Sequence, residues 1–234
     1  MNIIKTGAGK GIGAEIVKFF SKHKGNNIVA ISRNGEHLRK LQTDCLKLNA
    51  DSKVTVFEFD LVQFDFYSFL LQKIGLVFQH CDILINNAGH LKNKPFEKFE
   101  FQDFDDIFNV NVKGTFFFTQ MIVPIMNKGG HIVNIGSIGG IQGSRKFPGL
   151  SAYSASKAAV AVFTEALAEE LLEKDININC LALGAVQTEM FEKAFPGQRA
   201  LQTPEKIAQY IAEFSLNGDK YFNGKVIPVS LSVP

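Results

Sequence analysis

Thr6-Gly7-Ala8-Gly9-Lys10-Gly11-Ile12-Gly13 follows a short β-branched run, Ile3 to Thr6, and opens a helical pattern that continues from Gly11 to Lys24. Glycine turns tightly and exposes bare backbone, so a strand, a glycine-rich turn and a helix start bring amide N–H groups to one point. That point suits a pyrophosphate, because the helix N-terminus adds a partial positive charge. A glycine-rich turn is common by itself. Its place between a strand and a helix, at the head of an alternating pattern, gives this one its weight.

The alternation runs outward along the whole chain. Asn27 to Ser32, Lys53 to Phe59, Asp82 to Asn86, His131 to Ile135, Ile176 to Leu181 and Lys225 to Val229 read as further strands. Helical spacing separates them at Glu36 to Leu48, Phe66 to Phe78, Asp103 to Met126 and Ala152 to Glu173. Such βαβ repetition predicts an α/β fold: a Rossmann-type, doubly wound parallel sheet of about seven strands with helices on both faces. No repeat, linker or low-complexity tract divides it, so residues 1–234 read as a single domain. Ligands of such sheets sit beyond the carboxyl ends of the strands, where strand order reverses. Three irregular segments, 91–101, 139–151 and 188–203, are expected to overhang that edge and admit a substrate.

Composition narrows the function. A chain of 234 residues with 46% hydrophobic and 21% charged residues has ample material for a core. A net charge of +2 argues against a nucleic-acid or membrane surface. No apolar run is long enough to span a bilayer, and the opening residues read as a strand rather than a signal peptide. Cys45, Cys81 and Cys180 are odd in number, far apart and without His partners, so neither a disulfide framework nor a metal site is expected. Buried thiols of a cytoplasmic protein are the plain reading.

The second strand ends in Ser32-Arg33-Asn34. A chain that binds NAD usually carries an acid here for the ribose hydroxyls, whereas an arginine pairs with the extra phosphate of NADP. Lys10, inside the glycine turn, offers a second cation. Together they favour NADP(H) over NAD(H). Asp60-Leu61, ending the third strand, reads either as an acceptor for an adenine amino group or as a turn aspartate.

Tyr153-Ser154-Ala155-Ser156-Lys157 carries the chemistry. Residues four apart share a helix face, so Lys157 can lie near the Tyr153 phenol and favour its ionised form. An ordinary tyrosine, with a pKa of about 10, is a poor acid–base group near neutrality. A neighbouring cation moves it toward a useful range.

With these residues in view, the chain resembles the short-chain dehydrogenase/reductase family in its compact single-domain branch. The likeness rests on TGxxxGxG (Thr6, Gly7, Gly11, Gly13), NNAG (Asn86, Asn87, Ala88, Gly89), Asn111, Ser137 and the YxxxK pair. It implies a catalytic set of Asn111, Ser137, Tyr153 and Lys157. In that set Tyr153 exchanges a proton with the substrate oxygen, and Lys157 lowers the tyrosine pKa and bonds the nicotinamide ribose. Ser137 holds the substrate oxygen, and Asn111 anchors a water that relays protons to Lys157. The implied cofactor set comprises Gly7, Gly9, Lys10, Gly11, Ile12, Gly13, Arg33, Asp60, Leu61, Asn87, Ala88, Gly89, Tyr153, Lys157, Gly184, Val186 and Thr188. Thr188 is expected at the nicotinamide amide.

The departures are informative as well. Lys5 stands in the first strand where an apolar residue is expected, and burying an unpaired ammonium is costly. It is therefore expected to snorkel out, or the strand to be irregular. Ser144-Arg145-Lys146 looks inserted between Ser137 and Tyr153. Leu183-Gly184 replaces Pro-Gly, and the ending from Val229 to Pro234 lacks a glycine-rich tail.

The helix bearing Tyr153 is apolar nearly all round from Ala158 to Phe163, so a covering partner, in a homodimer or homotetramer, is expected. Leu91, Ile138, Ile141, Phe147, Leu150, Met190, Phe191 and Phe195 suggest an apolar pocket for a ketone or aldehyde. Arg145 and Lys146 raise a rival substrate class, a 3-oxoacyl thioester on an acidic carrier. A non-catalytic NADP(H) sensor or scaffold is the rival from outside the enzymes.

Overall fold

A computed structural model describes residues 1–231 of the chain. Runs rich in Ile and Val become strands because branched side chains pack well on a pleated sheet. The elements alternate as β1 (Asn2–Thr6), α1 (Gly11–Ser21), β2 (Asn27–Ser32), α2 (Gly35–Leu48), β3 (Lys53–Glu58), α3 (Tyr67–Gly75) and β4 (Cys81–Asn86). They continue as α4 (Phe101–Phe108), α5 (Thr115–Ile122), β5 (Met126–Ser137), α6 (Ser151–Glu170), β6 (Ile176–Leu183), α7 (Glu189–Ala194), α8 (Pro204–Asn217) and β7 (Val226–Val229). The strands pair in parallel, in the order β3-β2-β1-β4-β5-β6-β7. The order reverses between β1 and β4. Both strands end in motifs singled out in the sequence, the glycine turn and NNAG.

Two cores sandwich the sheet. One joins Ile3, Ile28 and Ile85 to Ile16 and Phe20 of α1, Leu38 of α2 and Ile207 and Ile211 of α8. The other joins Ile4, Val29 and Leu84 to Leu70 and Ile74 of α3, Phe118 of α5 and Ala168 of α6. Full burial of a side chain of Ile or Phe size contributes about 1.5–3 kcal/mol, which is why these strands read as nearly unbroken apolar runs. A polar thread crosses the second core. Asn86 Nδ2 donates to Thr119 Oγ1 (2.8 Å) and Asn134 Oδ1 (2.9 Å), and Asn134 Nδ2 donates to Thr164 Oγ1 (2.9 Å). These bonds fix α5 and α6 against β4 and β5.

Two expectations need correction, and one helix has no expectation to set against it. The single helix expected from Asp103 to Met126 is α4, a π-helical segment over Asn109–Gly114, α5 and a 3-10 turn at Val123–Ile125. The widened turn surrounds the buried Asn111, and π-bulges commonly mark such functional positions; Pro124 stops the helix. α8 carries no sequence expectation, although Thr203 caps it, accepting from Lys206 N, with Pro204 in its first turn. Lys5, finally, neither snorkels nor disturbs β1. It is fully buried in register between Ala30 and Ile85, with Nζ donating to Thr6 O at 2.7 Å.

On α6, Val162 is 63% exposed, and Phe116 of α5, 42% exposed, lies 4.9 Å from the ring of Phe163. The apolar face expected to need a partner is thus open to solvent in the single chain. Of the ending from Val229 to Pro234, residues 232–234 lie outside the described residues. No helix among the described residues is long and apolar enough to cross a membrane.

Candidate active site

At the carboxyl edge of the sheet lies a cleft of about 950 Å³. All seventeen residues expected at the cofactor line it, from Gly7, Gly9, Lys10, Gly11, Ile12 and Gly13 through Arg33, Asp60, Leu61, Asn87, Ala88 and Gly89 to Tyr153, Lys157, Gly184, Val186 and Thr188. Ser137 lines it too, whereas Asn111 lies behind its wall.

The glycine turn is held from β4. Asn87 Nδ2 donates to Gly7 O (3.0 Å), and the Asn87 and Ala88 amides donate to Thr6 Oγ1 (3.1 and 3.2 Å). Gly7 has φ +65°, and a Cβ there would strike Ala88. A Cβ on Gly13 would run into the Gly7 carbonyl, so α1 approaches β1 as closely as backbone allows. α1 is preceded by Lys10 at its N-cap without a side-chain capping bond, and it has no acid in its first turn. Its first N–H groups and the positive end of its dipole therefore face the cleft unneutralised. This cradle fits a dinucleotide diphosphate.

Two cations flank it, each held by an acid. Lys10 Nζ lies 2.5 Å from Glu189 Oε2 on α7, which joins the glycine turn to the 188–203 segment. Arg33 Nη1 lies 3.8 Å from Asp60 Oδ2, at the end of the cleft where the adenosine is expected. Asp60 Oδ1 also accepts from Val62 N (3.2 Å), so the aspartate makes a turn and tethers Arg33 at once. Thr188 caps α7 by accepting from Phe191 N (3.2 Å), and its methyl group lies against Gly11.

At the other end, β5 delivers Ser137 and α6 delivers Tyr153 and Lys157. Tyr153 is half-buried, and burial pushes its phenol up to about 12, against a lowering pull from the Ser137 hydroxyl. Lys157 is buried, its Nζ donating to Ile135 O (2.8 Å) and lying 5.9 Å from the centre of the Tyr153 ring; burial pushes it down to about 8. In this arrangement burial outweighs the lowering of the tyrosine pKa expected from Lys157. The ammonium is aimed at a carbonyl, and desolvation dominates both groups.

Asn111 is fully engaged. Its Nδ2 donates to His90 O (2.9 Å) and Ser156 Oγ (2.9 Å), its Oδ1 accepts from His90 N (2.7 Å), and Ser156 Oγ donates to Tyr153 O (2.7 Å). The side chain thus ties the π-helical segment to the turn of α6 that carries the tyrosine. Ser156 is a site residue without a sequence signal, hidden between Tyr153 and Lys157 with no pattern of its own.

The three loops behave differently from one another. Segments 139–151 and 188–203 line the cleft, joined by Phe147 and Phe195 at 6.5 Å. From 91–101 only Leu91 reaches it. The rest braces the other two: Lys94 N donates to Gly149 O (3.0 Å) and Asn93 Nδ2 to Ala194 O (2.7 Å). Lys92 and Lys94 close on Asp103, whose carboxyl they hold well below the usual range. The apparent insertion folds on itself, with Lys146 Nζ on the carbonyls of Ile141 (2.5 Å) and Ser144 (3.2 Å). Of the two rim cations only Arg145 faces the cleft, over the Phe147 ring at 5.5 Å, and Arg199 joins it there. Arg199 has no sequence signal beyond its loop.

Comparison with known proteins matches residues 1–199 to the short chain dehydrogenase family. The 3-oxoacyl-acyl-carrier-protein reductase FabG of Thermotoga maritima is 32% identical over 238 residues, covering 96% of this chain and 94% of the relative. Among solved structures, levodione reductase superposes with a TM-score of 0.88 at 26% identity, over 97% of this chain and 95% of that one. A chain from Escherichia coli CFT073, provisionally assigned as a short chain dehydrogenase and complexed with NADPH, gives 0.87 at 27% identity over 97% and 95%.

Proposed function

The chain belongs to the short-chain dehydrogenase/reductase family, and on that footing we propose that it reduces a ketone or aldehyde to an alcohol with NADPH, Tyr153 giving the proton. The observation that carries this reading is a continuous cleft with a diphosphate cradle at one end and Ser137, Tyr153 and Lys157 at the other. When bound, the nicotinamide supplies the hydride. Ser137 donates a hydrogen bond to the substrate oxygen and stabilises the negative charge that develops there. Tyr153 then passes its phenolic proton to that oxygen. Lys157, charged below about pH 8, offsets the charge left on the phenolate. Asn111 and Ser156 hold the backbone of Tyr153 so that its hydroxyl stays beside Ser137. The Leu91, Ile138, Leu150 and Phe195 side chains exclude water from the reacting atoms.

NADPH is favoured over NADH by Arg33, a cation at the expected adenosine end, by Lys10 in the glycine turn, and by the NADPH-bound relative. Fluorescence titration of the purified protein tests this. Arg33→Ala is expected to weaken NADPH about tenfold, the size of one exposed charge-assisted hydrogen bond, and to leave NADH nearly unchanged. Equal or tighter NADH binding by the unaltered protein overturns the cofactor assignment.

A second reading, reduction of 3-oxoacyl thioesters, is favoured by the similarity to FabG and by Arg145 and Arg199 at the mouth. Faster turnover of a 3-oxoacyl thioester than of a simple ketone in the same assay selects it. Either reading includes an assembly of two or four chains through the open face of α5 and α6. Sedimentation of the purified protein at the mass of one chain would remove that part.

A further inference from the structure

Among the described residues, Lys5 is a fully buried amine that the proposed chemistry does not use. Its Nζ donates to Thr6 O at 2.7 Å, and a Cβ on Gly13 would stand 2.9 Å from it, so the amine lies against the start of α1, directly under the glycine turn. We propose that Lys5 is a buried counter-charge for the dinucleotide, taking up a proton when the diphosphate settles on the glycine turn. This rests on the reading of that turn as a diphosphate cradle.

Three features of the site carry the inference. Burial disfavours an ammonium, and the positive end of α1 beside it does the same. No ionisable group among the described residues faces it: its strand neighbours are Ala30 and Ile85, α1 presents Gly13, and α8 brings Ile207, Ala208 and Ile211 to the same core. The charges of α1, Glu15 and Lys18, pair with each other nearer the surface. Desolvation alone accordingly holds the Lys5 amine well below the ordinary lysine value. An anion arriving on the glycine turn opposes that effect, because charges in a dry interior act over several ångströms with little screening. Lys5 is in this sense a positioning residue for charge, and touches no reacting atom.

The sign follows from linkage. The proton affinity of Lys5 is higher with the diphosphate bound than without it, so binding weakens as pH rises between the two values, by up to about tenfold per pH unit. Lys157 titrates near 8 at the nicotinamide end. The probe is therefore 2′-phospho-ADP, which keeps the diphosphate and lacks the nicotinamide riboside, used alongside NADPH.

The test is calorimetric titration of the full chain with both probes from about pH 7 to 10, in buffers of different ionisation enthalpy, repeated with Lys5→Met. The unaltered protein is expected to take up a fraction of a proton, approaching one, and Lys5→Met to take up none of it with 2′-phospho-ADP. The variant should bind about tenfold more weakly at the acid end, without the pH slope. It should melt no lower, since methionine fills the space and Thr6 O keeps Asn87 Nδ2 as a partner. The same slope in Lys5→Met, or no proton uptake by the unaltered protein, overturns the inference and leaves the proposed function standing. Failure of NADPH and NADH alike to bind overturns both. Proton uptake is measured on the unaltered protein, so the outcome does not depend on the variant folding.

Discussion

Tyr153→Phe is expected to lower turnover of a carbonyl substrate by roughly 10³-fold, within the range general-acid groups contribute, while NADPH affinity stays within about a factor of two. The change deletes one oxygen and keeps the ring, so the packing of α6 is preserved. The backbone of Tyr153 remains tied through Ser156 to Asn111. What disappears is the proton. The Ser137 hydroxyl bonds the Tyr153 phenol and accepts from Gly139 N (3.3 Å), so it offers polarisation rather than acid catalysis. Lys157 directs its Nζ to the Ile135 carbonyl and lies behind the tyrosine ring. Neither can substitute. Single-turnover kinetics with pre-bound NADPH measure the chemical step directly, and a variant that keeps full turnover removes Tyr153 from the mechanism. A protein that only binds the dinucleotide gives no turnover in either form, which separates a sensor or scaffold from an enzyme.

The parts of the molecule legible in the sequence are those written in local pattern. Strands such as Asn27–Ser32 are short β-branched runs, and β2 pairs between β1 and β3 because all three carry apolar side chains to the same two cores. The glycine turn is legible because it sits between a strand and a helix, and Tyr153 with Lys157 because helical spacing puts them on one face. Asn111 is found by resemblance, but its local structure is not legible. A π-helical turn depends on what the buried amide bonds to, here His90 and Ser156, which lie far away in sequence. α8 is a different case, since its signals are local: a Thr-Pro start and apolar spacing at Ile207, Ala208 and Ile211. Its cap at Thr203 is also the last residue of the irregular 188–203 segment, which blurs the boundary between loop and helix.

Lys5 departs from expectation for a physical reason. The cost of burying an ammonium argues against burial only if the group stays charged, and a lysine can lose its proton instead. Hydropathy treats the residue as a cation throughout. Lys157 shows the same limit, for spacing gives the right face but not the direction of the Nζ, which a carbonyl of β5 decides.

The pH dependence of the reaction should therefore be set by Lys157, not by the tyrosine. With Tyr153 pushed up to about 12, its proton is present throughout the working range and its own loss lies beyond it. Lys157, lowered to about 8, is charged below that value and neutral above. During reduction the phenol gives up its proton and becomes an anion in a dry wall, where a nearby cation is worth far more than in water. Turnover at saturating NADPH should accordingly fall as pH rises through about 8, and saturation removes any contribution from dinucleotide binding. Lys157→Met should be roughly 10²-fold slower at neutral pH, and its profile should stay flat across the same region. The variant should melt no lower than the unaltered protein at pH 7, because below about 8 the native chain carries an ammonium in a buried position and methionine does not. A limb near pH 8 that persists in Lys157→Met would assign the titration to another group. A profile that rises with pH in the unaltered protein would mean that the neutral amine is the working form, and would make Lys157 a proton relay instead of a counter-charge.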